Sequence, residues 1–181
     1  MTEKERDDLI SQIVDRETEM LVSMPAEGGQ SEFQLRPEAF RLTRLMAHSA
    51  HDGEFLRSYL EDLEEARKVG RNFIAEKYAR MENLIPPLNE SPLLDRIANA
   101  ETRWLREASM MYPDIIKVEG SEQYRHYLRC ELESLSDKTL ALYSDEIKRA
   151  ESQNRNPALE RHNWLARKLG RPPLKPAPAS G

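Results

Sequence analysis

The sequence predicts an all-α protein of about eight helices, arranged as two duplicated four-helix halves packed about a pseudo-twofold axis. Three observations predict it. Apolar residues recur at three- and four-residue intervals along most of the chain. No run shows sustained two-residue alternation, and turn-flanked Val/Ile/Thr segments are absent. One constant offset of 84 residues carries Tyr59, Ala66, Arg71, Asn72 and Glu76 onto Tyr143, Ala150, Arg155, Asn156 and Glu160, and Ile13, Glu17, Thr18 and Leu21 onto Ile97, Glu101, Thr102 and Leu105. A gapless offset over so long a stretch is the mark of a repeated unit. The predicted organisation is a single helical domain over residues 1–170, made of repeats at about 6–84 and 90–168, followed by a Pro-rich disordered tail over 171–181.

The first helix is expected from about Glu3 to Ser23, with the stripe Ile10, Ile13, Val14, Glu17, Met20, Leu21 and Met24, so a carboxylate interrupts its apolar face. Residues 25–31 read as a loop in which Gly28 and Gly29 allow backbone conformations closed to other residues. Pro37 suits the first turn of a helix carrying Phe40, Leu42, Leu45 and Met46, and His48 to Asp52 breaks it. Leu56, Tyr59, Leu60, Leu63 and Ala66 then share one stripe, which Gly70 ends. Asn72 can cap the next helix, whose stripe is Ile74, Tyr78 and Met81.

Residues 84–91 form a proline-bearing linker, and Ser91-Pro92 launches the helix of Leu93, Leu94, Ile97, Ala98, Glu101, Trp104 and Leu105. A glutamate again stands in the stripe, at the duplicated position. After a loop from Tyr112 to Gly120, Ser121 is placed to cap a helix with Tyr124, Tyr127, Leu128, Glu131, Leu132 and Leu135. Ser136 starts a helix through Ala150, and Asn156-Pro157 starts the last, which Gly170 stops.

Charged residues make up 33% of the 181 and hydrophobic ones 39%, which with persistent apolar stripes favours a well-solvated helical fold over disorder. A net charge of −5 argues against binding to phosphate backbones, so nucleic acid is not an expected partner. The one basic run, 161–175, reads as a solvated helix end and tail. No stretch approaches the roughly 20 apolar residues that span a bilayer, and the charged opening Met1 to Asp8 carries no secretory signal. A lone Cys130 forms no internal disulfide. These features lead to the expectation of a cytoplasmic protein that makes no use of a membrane.

Chemistry enters through polar residues lodged where apolar ones are expected. A carboxylate in an apolar interior demands a raised pKa, a cationic partner or a metal. Across a pseudo-twofold, Glu17 and Glu101 would approach one region from opposite sides, and two such groups can divide into a general acid and a general base. The alternative is a structural ion pair with Arg41, Arg44, Arg71, Arg125 or Arg155. Glu131 is a third carboxylate in a core stripe, and His162 stands where the first half has Tyr78. Candidate catalytic residues are therefore Glu17, Glu101, Glu131 and His162. Candidate ligand-binding residues are Tyr59, Tyr78, Tyr127, Tyr143, Arg71 and Arg155, with Tyr124 a further tyrosine of the same kind.

No metal or other cofactor is expected. Glu-x-x-His, which helical di-iron sites use, does not occur. His48 and His51 have chelating spacing but fall at a helix end, where a solvent-exposed pair is the simpler reading. His126 and Cys130 share a helix face, the minimum for a thiolate–imidazole pair, yet no third group orients them. Gly28-Gly29 lacks the preceding strand of a phosphate loop.

Several strings, Glu-Gly-Gly at 27–29, Ser-Tyr-Leu-Glu-Asp-Leu at 58–63, Gly-Arg-Asn at 70–72, Glu-Lys-Tyr-Ala-Arg-Met at 76–81, Tyr-Leu-Arg-Cys-Glu-Leu at 127–132 and Lys-Thr-Leu-Ala-Leu-Tyr at 138–143, give the chain a family likeness. It resembles, over roughly residues 7–169, the bacterial family labelled domain of unknown function 4125. The resemblance implies a bacterial, intracellular helical protein and supplies no reaction. Where members of that family often carry a Cys before the Gln that matches Gln34, this chain has Phe33, so a thiol role there does not transfer.

Two functions are consistent with these residues. In the first, the polar core site binds a small organic molecule, with acid–base catalysis as an extension. In the second, the chain is a non-catalytic interaction or assembly subunit with an exposed apolar patch around Trp164 or Met110-Met111. A second copy of the chain is a compatible partner in either case.

Overall fold

Side-chain caps set most of the helix starts. In the computed structural model, which describes residues 1–25, 32–118 and 120–174, Thr2 and Glu5 form a capping box that opens α1 (Glu3–Val22). A single turn, α2 (Glu32–Leu35), precedes α3 (Pro37–His48), which has proline in its first turn. Asp52 caps α4 (Gly53–Lys68) through the Phe55 N–H at 3.0 Å. Asn72 Oδ1 accepts from the Ile74 and Ala75 N–H groups, each at 3.0 Å, and opens α5 (Phe73–Met81).

In the second half, Ser91 Oγ accepts from Leu93 N–H at 3.2 Å at the head of α6 (Leu93–Met111). Gly120, at φ +73°, precedes α7 (Ser121–Leu132). Ser121 is not the cap expected of it: it is the first helical residue, and its hydroxyl accepts instead from Arg106 Nη2 at 2.9 Å. Ser136 caps α8 (Asp137–Ser152) through Thr139 N–H at 3.2 Å, and Asn156 caps α9 (Pro157–Lys168) through Leu159 N–H at 3.0 Å.

The fold is all-α: eight helices of nine residues or more, the single turn α2, and no strand among the described residues. None of these helices is long and apolar enough to cross a membrane. The expected loop with Gly28 and Gly29 lies outside the described residues, as do Glu119 and the expected tail from Lys175 onward. Residues 171–174 run back along α9, where the Leu174 N–H donates to Asn163 Oδ1 at 2.7 Å.

α1 packs against α3, α4 and α5, and α6 packs against α7, α8 and α9. The two sets meet where α4 lies on α8, α5 on α7 and α3 on α9. Several details recur with the spacing of 84 residues. Asn72 Nδ2 donates to the Met20 carbonyl at 2.7 Å and Asn156 Nδ2 to the Trp104 carbonyl at 3.0 Å. The Thr18 hydroxyl donates to the Val14 carbonyl at 2.6 Å and that of Thr102 to the Ala98 carbonyl at 2.7 Å. Gly70 has φ +72°, the left-handed turn that ends α4, and Asn154 takes φ +52° after α8.

α1 and α6 each present a continuous buried stripe to their partners: Ile10, Ile13, Val14 and Leu21 on α1, Leu94, Ile97, Ala98 and Trp104 on α6. Glu17 and Glu101 stand in the middle of those stripes and are fully buried with them. The packing of α1 on α3 and α4, and of α6 on α8 and α9, decides what each carboxylate meets.

Candidate functional site

Glu17 is met by three donors. Arg44, from α3, makes a two-point contact: Nε reaches Oε2 at 3.0 Å and Nη2 reaches Oε1 at 2.7 Å. His48, one turn further along α3, places Nε2 3.1 Å from both oxygens, and Tyr59 of α4 donates its hydroxyl to Oε1 at 2.8 Å. Arg44 Nη2 also stands 2.7 Å from Glu131 Oε1, and buried Lys77 approaches the same oxygen at 3.8 Å. The Lys77 ammonium donates to the Tyr127 hydroxyl at 2.8 Å.

The charges in this cluster fix one another. Burial alone would raise the Glu17 pKa, but Arg44 and His48 outweigh it and hold the carboxyl below its ordinary value. Glu131 follows the same logic, with burial overcome by Arg44 and Lys77. Burial works to discharge Lys77, and Glu131 and the Tyr127 hydroxyl reverse it, so its pKa lies above the ordinary lysine value. His48 goes the other way: burial lowers its pKa despite Glu17. Its Nδ1 is buried without a partner, so a second ring proton would have no acceptor. His48 is therefore the neutral tautomer with its proton on Nε2, facing Glu17.

Glu101 is held more simply. Arg161 of α9 grips it from two points, Nη1 to Oε2 at 2.6 Å and Nη2 to Oε1 at 2.9 Å, while Arg161 Nε donates to the Ala47 carbonyl of α3 at 3.1 Å. Tyr143 of α8 donates to Oε1 at 2.8 Å. Burial would raise this carboxyl too, and Arg161 followed by Tyr143 brings it below its ordinary value. Burial and the adjacent carboxylates push the hydroxyl pKa of Tyr59 and of Tyr143 well up, so both remain donors. Glu17 and Glu101 do not pair with each other; each is occupied by its own arginine and its own tyrosine.

Between the two clusters lies a cavity of about 190 Å³. Arg44 and Arg161 both line it. An aromatic wall comes from His51, Phe55, Tyr59 and Tyr143: His51 stacks on Phe55 at 4.0 Å, and Tyr143 stands edge-on to His51 at 4.7 Å. Leu128, Leu132 and Leu135, from α7 and its end, line it as well, together with Tyr124, Tyr127 and Glu131. A second cavity of about 270 Å³ shares His51, Tyr143 and Arg161 with it and is otherwise more polar, lined by Arg6, Asp52, Glu146 and Arg149.

Of the residues singled out in the sequence, Tyr59, Tyr127, Tyr143 and Glu131 line the seam cavity. Glu17 stands behind Arg44, and Glu101 faces the more polar cavity. His162 is elsewhere: it is half-buried beside an apolar cavity of about 430 Å³ formed with Tyr112, Leu165, Leu169 and Pro173, and burial and neighbouring Arg161 lower its pKa. Tyr78 lies under the Lys77 ammonium, 5.4 Å from its ring centre. Arg71 and Arg155 are exposed and clasp Glu76 and Glu160 through two-point contacts at the starts of α5 and α9.

Two readings from the sequence are corrected. His48 and His51 are not a solvent-exposed pair: both are buried, because α3 turns His48 inward with Arg44 and the following turn stacks His51 on Phe55 and binds its Nδ1 to Glu146 at 2.6 Å. The basic run beginning at Arg161 is not wholly a solvated end, since Arg161 is drawn inward by Glu101. Lys77, which the sequence did not single out, is 1% exposed. A signal existed for His48, which lies four residues after Arg44 and so on the same helix face. Cys130 Sγ does lie 3.9 Å from both His126 ring nitrogens, but burial, followed by Glu133, raises its thiol pKa, the reverse of an activated thiolate. No group of three or more His, Cys, Asp or Glu side chains among the described residues is placed to hold a metal ion.

The architecture and the seam together define a helical protein whose interior charges are arranged around a small aromatic-lined cavity. The chain belongs to the family described as Protein of unknown function (DUF4125), whose profile matches residues 7–178. No curated protein and no solved structure matches it.

Proposed function

We propose that the protein binds a small organic molecule in the seam cavity, between α3, α4, α7, α8 and α9. The observation that carries the reading is convergence: aromatic rings, leucines and two largely buried arginines from both halves line one cavity, and each arginine is held in place by a carboxylate behind it. A mostly apolar chamber with a few fixed polar groups is the usual form of a ligand site. At about 190 Å³ it falls below the range of drug-sized pockets, so the ligand is small. The larger apolar cavity at His162 has no comparable set of converging polar groups.

Binding is better supported than acid–base catalysis. Glu17, Glu101 and Glu131 are held below the ordinary carboxyl range by adjacent cations, so at neutral pH none of them carries a proton to give, and each is a weaker base than a free carboxylate. Their role in this reading is to orient Arg44 and Arg161. We further infer that residues 1–170 form one domain from two repeats, at about 6–84 and 90–168. The recurring Asn caps, threonine contacts and Tyr–Glu bonds, each separated by 84 residues, support that origin. The cavity would then lie between the repeats.

A small-fragment screen on protein with ¹³C-labelled leucine methyl groups tests the binding reading. Fragments are expected to shift Leu128, Leu132 and Leu135 together while leaving Leu165 and Leu169 in place. Hits confined to Leu165 and Leu169, or no hit on either set, would overturn it.

A further inference from the structure

We infer that the ligand of the seam cavity is a small planar carboxylate, an aryl or similarly flat unsaturated acid, bound by the spare N–H groups of Arg44 and Arg161. The inference rests on the seam-cavity reading and adds the chemical class. It follows from counting which hydrogen bonds are already made.

A guanidinium has five N–H groups. Arg161 uses three, one to the Ala47 carbonyl and two to Glu101, which leaves one on each terminal nitrogen. Arg44 commits Nε and Nη2 to Glu17 and Glu131, and its Nη1 has no partner among the described residues. Arg44 Nη1 is not among the buried groups left without a partner, so it faces accessible space, and the cavity is the space that Arg44 and Arg161 both line. The Tyr127 hydroxyl accepts from Lys77 and keeps its own hydrogen to give. Tyr124, also in the lining, has its hydroxyl pKa pushed up by burial and the nearby Glu101, so it too remains a donor.

The unspent capacity of Arg44, Arg161, Tyr124 and Tyr127 is that of donors, and it calls for an acceptor. The one acidic side chain in the lining, Glu131, is already matched by Arg44 at 2.7 Å and Lys77 at 3.8 Å, so it leaves no unmet negative charge to draw a cation. That distinguishes this chamber from an aromatic cage for an ammonium group, which pairs rings with free carboxylates. A carboxylate presents two coplanar acceptors to a planar fork of donors. The flat body is set by the walls: the stacked His51, Phe55 and Tyr59 rings with Tyr143 edge-on, and the leucines of α7.

The test uses three probes of one shape, 4-fluorobenzoate, 4-fluorobenzyl alcohol and 4-fluorobenzylammonium, titrated at pH 7 and followed by ¹⁹F NMR and by the leucine methyl shifts. The carboxylate is expected to bind at least about tenfold more tightly than either analogue and to shift Leu128, Leu132 and Leu135. Tyr124→Phe, which deletes one hydroxyl and leaves the ion pairs intact, is expected to weaken the carboxylate and leave the alcohol unchanged. Arg161→Lys, which keeps the charge on Glu101 but loses the fork, is expected to weaken it further. Equal or tighter binding of the alcohol or the ammonium at the same leucines would overturn the carboxylate assignment and leave the cavity reading standing. Failure of all three probes to move those leucines would overturn both.

Discussion

Glu17 of α1 and Glu101 of α6, 84 residues apart, take a tyrosine hydroxyl on the same oxygen at the same 2.8 Å, and draw their arginines from different helices. Arg44 comes from α3, Arg161 from α9. The position 84 residues after Arg44 is Leu128, and the position 84 before Arg161 is Lys77, whose ammonium has turned to Tyr127 and Glu131 instead. The difference teaches what is fixed and what is free. The Tyr–Glu contact follows from how α4 lies on α1 and α8 on α6, whereas the counter-charge need only reach the carboxylate, and either flanking helix serves. One side is a network of two carboxylates, two cations and a histidine; the other is a single arginine clasp.

The largest test of that contrast is to remove each arginine. Breaking a buried pair from one side strands an uncompensated charge, at a cost of about 3–5 kcal/mol. Arg44→Met strands both Glu17 and Glu131, while Arg161→Met strands Glu101 alone, so urea unfolding at pH 7 is expected to rank Arg44→Met as the more damaging. Adding Glu101→Gln to Arg161→Met removes the stranded charge and should recover most of the loss. Equal losses from the two single variants would mean that Lys77 alone suffices for Glu131 and that the first cluster is no more interdependent than the second.

Removing the tyrosine hydroxyls is the next smaller change, and it should invert the order. A hydrogen bond to a charged group contributes about 1.5–3 kcal/mol. After Tyr59→Phe, Glu17 still has Arg44 and His48; after Tyr143→Phe, Glu101 has only Arg161. Tyr143→Phe is therefore expected to cost more, read as the shift in urea midpoint at unchanged slope. A larger effect at Tyr59 would break the view that the first cluster is the better-buffered one.

Much of the fold was legible because stripe and cap are local. Asn72, Asn156 and Ser136 sit where a cap belongs, and Glu17 and Glu101 stood out as carboxylates inside otherwise apolar stripes. Their partners were half legible. Arg44 was one of several arginines within reach of the argument, and nothing local marked it above Arg41. His48, which meets Glu17 within its own half, was marked by its spacing from Arg44 and misread; Arg161, Lys77 and His51 were missed for one reason: a long or polar side chain at the edge of a stripe goes inward only if the packing brings it a partner from across the seam, and that partner is a tertiary fact. Lys77 needs Tyr127, His51 needs Glu146, and Arg161 needs both Glu101 and the Ala47 carbonyl. The cavity belongs to the same class, since its walls come from five helices.

The smallest difference between the two clusters lies in their response to acid. His48, facing Glu17, Arg44, His51 and Tyr59, has its pKa lowered by burial from the ordinary 6.5. Below pH 6.5 the unfolded chain takes up a proton there that the folded chain refuses, so stability is complete above that value and falls as pH drops toward the folded pKa. The carboxylates Glu17, Glu101 and Glu131 act in the same direction but only below their ordinary 4.5, so the window from 6.5 to 4.5 isolates the histidines. His162, lowered by burial and Arg161, adds to it from the second half, with weaker burial and no carboxylate contact. One proton contributes a slope of at most about 1.4 kcal/mol per pH unit. His48→Gln, whose amide can still donate to Glu17, is expected to flatten the decline in unfolding free energy between pH 7 and pH 5 by more than His162→Gln does. An unchanged slope in His48→Gln would mean that His48 accepts a proton in the folded protein, and the buried Nδ1 would then have found an acceptor.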